Sequence, residues 1–162
     1  MSRGLGDVYK RQEYLIKNNY YSDKLLEKYS MSTIESVRRR ASKSGFQFQS
    51  YMSANKFYEG YALKSDDGKE ILEDYEDKVT IVALTLADGN PSFASILVDK
   101  IVKQEFQPAT PTFLNAGRAR AGEMVSCFLL NVEDSCEGIS YAVGSSNHLS
   151  KIGGGVANFW SL

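Results

Sequence analysis

Ser126-Cys-Phe-Leu-Leu-Asn-Val132, followed at once by Glu133-Asp-Ser135, is the stretch on which the fold turns. Residues 128–132 lack clean alternation, the pattern of a short strand buried on both faces. Asp134-Ser135 has helix-capping chemistry and predicts a helix running to about Leu149. One strand followed by one helix is the opening of an α/β fold. Upstream, Pro108-Ala-Thr-Pro-Thr-Phe-Leu-Asn-Ala-Gly117 carries two prolines and an Asn-Ala-Gly turn, and predicts an ordered loop. A polar turn over residues 118–123 then delivers Cys127 to the strand entrance. Downstream, Lys151-Ile-Gly-Gly-Gly-Val156 supplies a loop of bare backbone. A thiol, hydroxyls and exposed peptide N–H groups therefore converge on one region, a combination suited to redox chemistry on a phosphorylated substrate.

Outward from this region the pattern is helical, from Glu13 to about Gln107. Ser22-Asp-Lys-Leu-Leu-Glu-Lys-Tyr29 offers a cap and apolar residues at helical spacing, and Ser32-Thr-Ile-Glu35 has the form of a capping box. Gly45 is a plausible stop. Residues 51–62 place Met52, Ala54, Phe57, Tyr58 and Tyr61 on one broad face. Residues 75–87 read as a buried helix, although Val79, Ile81 and Val82 lend strand character; length favours the helix. Asp88-Gly-Asn-Pro91 breaks the chain and places Pro91 near the start of the next helix. That helix is expected to reach about Phe106, with Ile96, Leu97, Ile101 and Val102 inward. The fold class expected is mostly α, with an α/β portion from residue 108 onward.

Composition narrows the function classes. The chain has 162 residues, with 19 Lys and Arg against 20 Asp and Glu. Arg38-Arg-Arg40 is the only basic run and lies on a predicted helix, so nucleic-acid binding gains no support. No apolar run is long enough to span a bilayer, and no charged start leads into a hydrophobic stretch. Two cysteines are too few for a disulfide scaffold, which makes a reducing cytoplasm the default compartment. Both ends look foreign to the pattern. Asp7-Val-Tyr-Lys-Arg-Gln12 resembles translated sequencing adaptor, so residues 1–12 are expected to stand outside the fold. Phe159-Trp-Ser-Leu162 is abrupt after the glycine loop, which suggests a chain cut short.

Cys127 leads the candidates for chemistry. A thiolate beside Ser126 at a strand entrance can donate electrons if a second cysteine faces it, although a small buried hydrophobe is the plain alternative. Cys136 is a poor partner, since the strand carries Asn131 about 13 Å away before the turn. Gly153-Gly-Gly155 suits close approach to a phosphate or ribose, and equally any tight turn. Thr110 and Thr112 flank Pro111, with either phosphate-binding or turn duty open to them. Asp134 is a candidate ligand or merely a cap. His148 is the only histidine, so neither a multi-histidine metal site nor a Cys-His-Asp triad is supported.

Taken in order, the motifs Pro108 to Gly117, Ser126-Cys-Phe-Leu-Leu130 and Ser150-Lys-Ile-Gly-Gly-Gly155 closely resemble the large, catalytic subunit of ribonucleotide reductase. The stretch Phe46-Gln-Phe-Gln-Ser-Tyr-Met-Ser-Ala-Asn-Lys-Phe-Tyr58, with Tyr61-Ala-Leu63 and Asp67-Gly68, is similar to the class Ib form. The resemblance implies a helical N-terminal domain over residues 13–107 and, over 108–162, the first strand and helix of a ten-stranded α/β barrel, truncated. It implies that Cys127 is one of the dithiol pair that reduces ribose. It further implies that Thr110, Ser126 and Gly155 hold the substrate, and that Asp134 binds a specificity effector. The implied partners are a ribonucleoside diphosphate, dNTP or ATP effectors, and a small subunit bearing a dimetal-tyrosyl radical. A glutaredoxin- or thioredoxin-like reductant and a second copy of the subunit complete the set, in the cytoplasm. The radical cysteine and the second redox cysteine would lie beyond this chain, so turnover by it alone is not expected. Asn158 to Leu162 and Cys136 depart from the family pattern. The rivals are a helical interaction module with a structural Cys127, and a stand-alone thiol enzyme. The first gives no reason for the motif order, and the second lacks a resolving cysteine at usable spacing.

Overall fold

The structure, a computed structural model, describes residues 8–120, 122–151 and 154–160. Along the chain these form α1 (Val8–Lys17), α2 (Lys24–Lys28), α3 (Met31–Lys43), α4 (Tyr51–Gly60), α5 (Tyr75–Ala87), α6 (Pro91–Val102), α7 (Thr110–Asn115), β1 (Cys127–Val132), α8 (Cys136–Lys151) and β2 (Gly155–Trp160). The chain is thus mostly helical, with a small parallel sheet towards its C-terminal end.

α5 is the hub because it is apolar nearly all round. Val79, Ile81, Val82, Ala83 and Leu84 are all buried, which no single-faced helix achieves. Its five β-branched residues, Val79, Thr80, Ile81, Val82 and Thr85, would favour a strand. The helix wins because Asp74 and Asp77 form a reciprocal capping box at its start, and its 13 residues exceed a typical strand. Asp88, in the left-handed region, ends it. α3 and α6 pack against α5 and against each other. α3 contributes Ile34, Val37 and Ala41 at helical spacing. Its cap is Ser30, which accepts from the Thr33 N–H at 3.2 Å, two residues before the box expected at Ser32. Gly45 (φ +66°) follows this helix, as the sequence suggested.

α6 opens on Pro91, with Asn90 capping the Phe93 N–H at 3.0 Å. Its buried face is Ala94, Val98 and Ile101, so the inward placement expected for Ile96 is corrected: that side chain is 54% exposed. The helix also ends earlier than expected, at Val102, where Gln104 turns to φ +59° and the Glu105 and Phe106 N–H groups both fold back onto the Lys100 carbonyl. On α4 only Phe57 is fully buried, and Met52, expected on the inner face, points to solvent. The helix lies at the edge of an aromatic cluster in which Phe46 stacks on Tyr75 at 3.9 Å and Phe48 meets Phe57 at 5.5 Å.

Residues 1–12 were expected outside the fold. Residues 1–7 lie outside the described residues, whereas residues 8–12 belong to α1. Gln12 is buried, and Arg11 donates to Asp74 at 3.0 Å and to Asp77 at 2.8 Å. An ion pair to the start of the central helix is what draws this segment in.

β1 and β2 run parallel, with α8 as the crossover, and pair Cys127 with Gly155 through to Val132 with Trp160. The sequence reading had one strand; the second is a correction, since parallel pairing asks only for extended backbone after the glycine segment. Burial of β1 on both faces is also corrected. Leu129 is 82% exposed and only Val132 is buried, because one helix covers this two-stranded sheet. Ala142 is the residue of α8 that is buried.

Candidate functional site

The predicted loop after Pro108 is a short helix. Pro111 sits in its first turn, where a missing N–H goes unnoticed, and Phe113 is the buried anchor. Thr112 Oγ1 donates to the Met124 carbonyl at 2.9 Å, so of its two readings turn duty is the one observed. Asn115 does more. Its amide donates to the Glu123 carbonyl at 2.8 Å and its oxygen accepts from the Gly122 N–H at 3.1 Å. The polar turn before Cys127 is therefore folded back onto α7.

α7 in turn is fastened to the helical part. Gly117 adopts φ +73° and lies so close to α5 that a Cβ there would meet Ile81 Cγ1 at 2.5 Å and Thr85 Oγ1 at 2.8 Å. Its carbonyl accepts from the Ser22 N–H at 2.9 Å, and the Ala119 N–H donates to the Tyr20 carbonyl at 3.1 Å. Arg118 donates to the Tyr61 carbonyl at 2.8 Å and to Glu73 at 2.9 Å. Glu73, buried, also accepts from Tyr21 Oη at 2.5 Å and from the Leu63 N–H at 2.9 Å. Lys78 Nζ lies 3.5 Å from Glu73 and donates to the Leu114 carbonyl at 3.0 Å. Burial pushes the Lys78 ammonium down to about 8 against the pull of Glu73. Burial, then Glu73, raises the Tyr21 phenol well above its ordinary value. Nothing in the sequence reading singled out this network. The available signal was Asp77-Lys78 lying inside a helix otherwise read as buried.

At the sheet, Cys127 opens β1 opposite Gly155. The Gly155 N–H donates to the Ser126 carbonyl at 2.8 Å, and Ser126 Oγ lies 3.6 Å from Cys127 Sγ. A Cβ at Gly155 would stand 4.0 Å from that sulfur, and one at Gly154 would collide with the Phe128 ring at 2.3 Å. Gly153, the first glycine of the loop, lies outside the described residues. Ser126, Cys127 and Gly155 are thus brought together at the entrance to both strands, with the thiol exposed. Thr110 is exposed on the first turn of α7, its hydroxyl 3.4 Å from that of Tyr61. Tyr61 also lines a cleft walled by Phe46, Phe48, Phe57, Tyr75 and Phe113. Asp134 is exposed in the turn after β1, beyond the opposite end of the strand from Cys127. The cap on α8 is Ser135, whose Oγ accepts from the Gly138 N–H at 2.9 Å, which leaves the Asp134 carboxylate without that task. Cys136 carries a free thiol on α8. Among the described residues no group of three His, Cys, Asp or Glu side chains is placed to hold a metal. None of the described helices is long and apolar enough to cross a membrane.

Two families account for most of the chain. Residues 3–46 match the family described as ribonucleotide reductase N-terminal, and residues 47–121 match that described as ribonucleotide reductase, all-alpha domain. The chain belongs to the ribonucleotide reductase large-subunit family. Of the reductases it is similar to, the ribonucleoside-diphosphate reductase NrdEB subunit alpha of Bacillus subtilis is 56% identical over 151 residues, 93% of this chain and 14% of that protein. The ribonucleoside-diphosphate reductase subunit alpha of the same organism is 52% identical over 145 residues, covering 90% and 21%. That of Mycoplasma genitalium is 48% identical over 147 residues, covering 91% and 20%. The chain therefore spans about a fifth or less of the length of these reductases.

Proposed function

We propose that this chain serves the reduction of ribonucleoside diphosphates to 2′-deoxyribonucleotides, as the N-terminal portion of a class Ib large subunit. The observation that carries this is the meeting of Ser126, Cys127 and Gly155 across one parallel register, with the thiol exposed beside a hydroxyl and bare backbone. In the proposed reaction a radical relayed from the small subunit takes a hydrogen from the ribose and returns it at the end of the turnover, and the 2′-hydroxyl leaves as water. Two thiols give up two electrons and close to a disulfide, which a glutaredoxin- or thioredoxin-like protein then reopens. Cys127 is one of those thiols and protonates the departing hydroxyl. Thr110 and Ser126 donate hydroxyl bonds to the diphosphate and its neighbouring groups, and Gly155 lets the nucleotide approach the backbone. Asp134, free of capping duty, receives the sugar of a dNTP or ATP effector.

On this reading β1, α8 and β2 begin a ten-stranded barrel, and α8 pairs with its counterpart in a cytoplasmic homodimer. The exposure of Leu129, Phe159 and Trp160 on the sheet supports further barrel elements covering it. The second redox cysteine, the radical cysteine and the radical-bearing small subunit are supplied from outside these residues, so the chain alone is expected to be inactive. In a subunit containing this chain, mixed with its radical partner, Cys127→Ser should lower deoxyribonucleotide formation by at least about 10³-fold, the scale of losing an essential group. Cys136→Ser should leave the rate nearly unchanged. Turnover that survives Cys127→Ser would sink the proposal, as would reduction by the 162-residue chain with a radical subunit.

A further inference from the structure

Lys78 and Glu73 are completely enclosed in the helical part, about fifty residues before the thiol in sequence, yet their bonds reach towards the segment that carries it. Lys78 holds the Leu114 carbonyl near the end of α7, and Glu73 holds Arg118 just past it. An apolar pair of similar volume would fill the same space, so packing alone does not call for an ammonium and a carboxylate. What the charged pair provides is direction: a donor aimed at one carbonyl oxygen and an acceptor for one guanidinium. From Leu114 the connection continues through Asn115 to Glu123 and Gly122, and through Thr112 to Met124, two residues before Ser126.

We infer that Lys78 and Glu73 are positioning residues, which set the placement of α7 and through it that of Thr110 and the Ser126-Cys127 strand entrance relative to a bound nucleotide. The inference rests on the reductase reading above. Its test is steady-state kinetics of the whole subunit with its radical partner, accompanied by thermal unfolding. Lys78→Met keeps the length of the side chain and removes the donor, while Glu73 stays paired with Tyr21 and Arg118. The variant should unfold within a few degrees of wild type, yet lose about 100-fold in kcat/KM, the scale of an ångström-sized misplacement. KM should rise, since Thr110 rides on α7, and kcat should fall, since Cys127 lies beyond it. Lys78→Arg, which restores a charged donor, should recover most of the loss. A folded Lys78→Met subunit with kcat/KM within about threefold of wild type overturns the inference. Should that variant not fold, Arg118→Met, which breaks the bond from Glu73 to the segment beyond α7 while Glu73 keeps Tyr21 and Lys78 as partners, carries the same expectation and the same overturning result. A wild-type subunit that fails to reduce ribonucleotides would instead remove the reductase reading, and the inference with it.

Discussion

Gly117 shows how much a single residue can decide here. Its positive φ is a conformation that a Cβ resists, and the space a Cβ would enter is already occupied by Ile81 and Thr85 of α5. Gly117→Ala should therefore destabilise the chain by about 3 kcal/mol, combining strain with overpacking. Urea unfolding would measure it, and a cost below about 1 kcal/mol would mean that the loop can lift away freely. Lys78 makes a second prediction, in pH. Its folded pKa of about 8 lies below the ordinary 10.5, so between those values the unfolded chain binds a proton that the folded chain has released. The cost of burying this ammonium is fully present below pH 8 and is relieved as pH rises through that window. Stability of wild type relative to Lys78→Met should rise by about 3 kcal/mol from pH 7 to 10.5. Tyr21 and Tyr75 oppose this at the alkaline end, because their raised phenol values make the fold lose stability there. They are common to both proteins and cancel in the difference. A flat difference across the window would show that Lys78 titrates normally.

At the scale of the element, the start of α5 combines a cap with an ion cluster. Asp74 and Asp77 cap the helix reciprocally, and Arg38 binds both at 2.9 Å while Arg11 approaches from α1. Burial, and next Asp74, push the Asp77 carboxyl above its usual value, and Arg38 and Arg11 pull it back. Arg38→Ala leaves a fully buried carboxylate with one cation fewer, and should cost about 3 kcal/mol at neutral pH. The deficit should narrow towards about pH 4, since Asp77 can then take up a proton in the folded state. An undiminished deficit at that pH would assign the loss to packing of the Arg38 stem instead.

The same helix explains what the sequence made readable. α5 was legible from end to end because its length, its acidic start and its Asp88-Gly break agree. α6 was legible at Pro91 but not at its end, since Lys103 and Gln104 carry no stop signal and tertiary contacts chose the face. α7 read as a loop because two prolines weigh towards turns, although one of them suits a first helical turn. In the candidate site, Ser126 and Cys127 are neighbours in sequence, whereas their adjacency to Gly155 depends on a strand register. Thr112 and Lys78 act through backbone carbonyls, which leave no mark in side-chain pattern.

For the whole molecule, the distribution of burial is uneven. The main core cluster runs from Leu15 to Ala116, and no residue of β1, α8 or β2 belongs to it. Among the described residues of that later unit Val132 and Ala142 are the buried apolar side chains, and a two-stranded sheet with exposed faces is marginal by itself. Amides of β1 and β2 should therefore exchange through local opening, at a free energy at least about 2 kcal/mol below that of the α5 amides, which need global unfolding. Native-state hydrogen exchange on the chain measures both sets at once. Equal protection would mean that the sheet folds cooperatively with the helices and that its own packing fixes the thiol. Under unequal protection Cys127 is held chiefly by the turn that Thr112 and Asn115 tie to α7, and by the Lys78, Glu73 and Arg118 bonds behind it. Removing the Asn115 side chain should, in that case, loosen β1 while leaving α5 protection unchanged, which separates the two sources of order in one measurement.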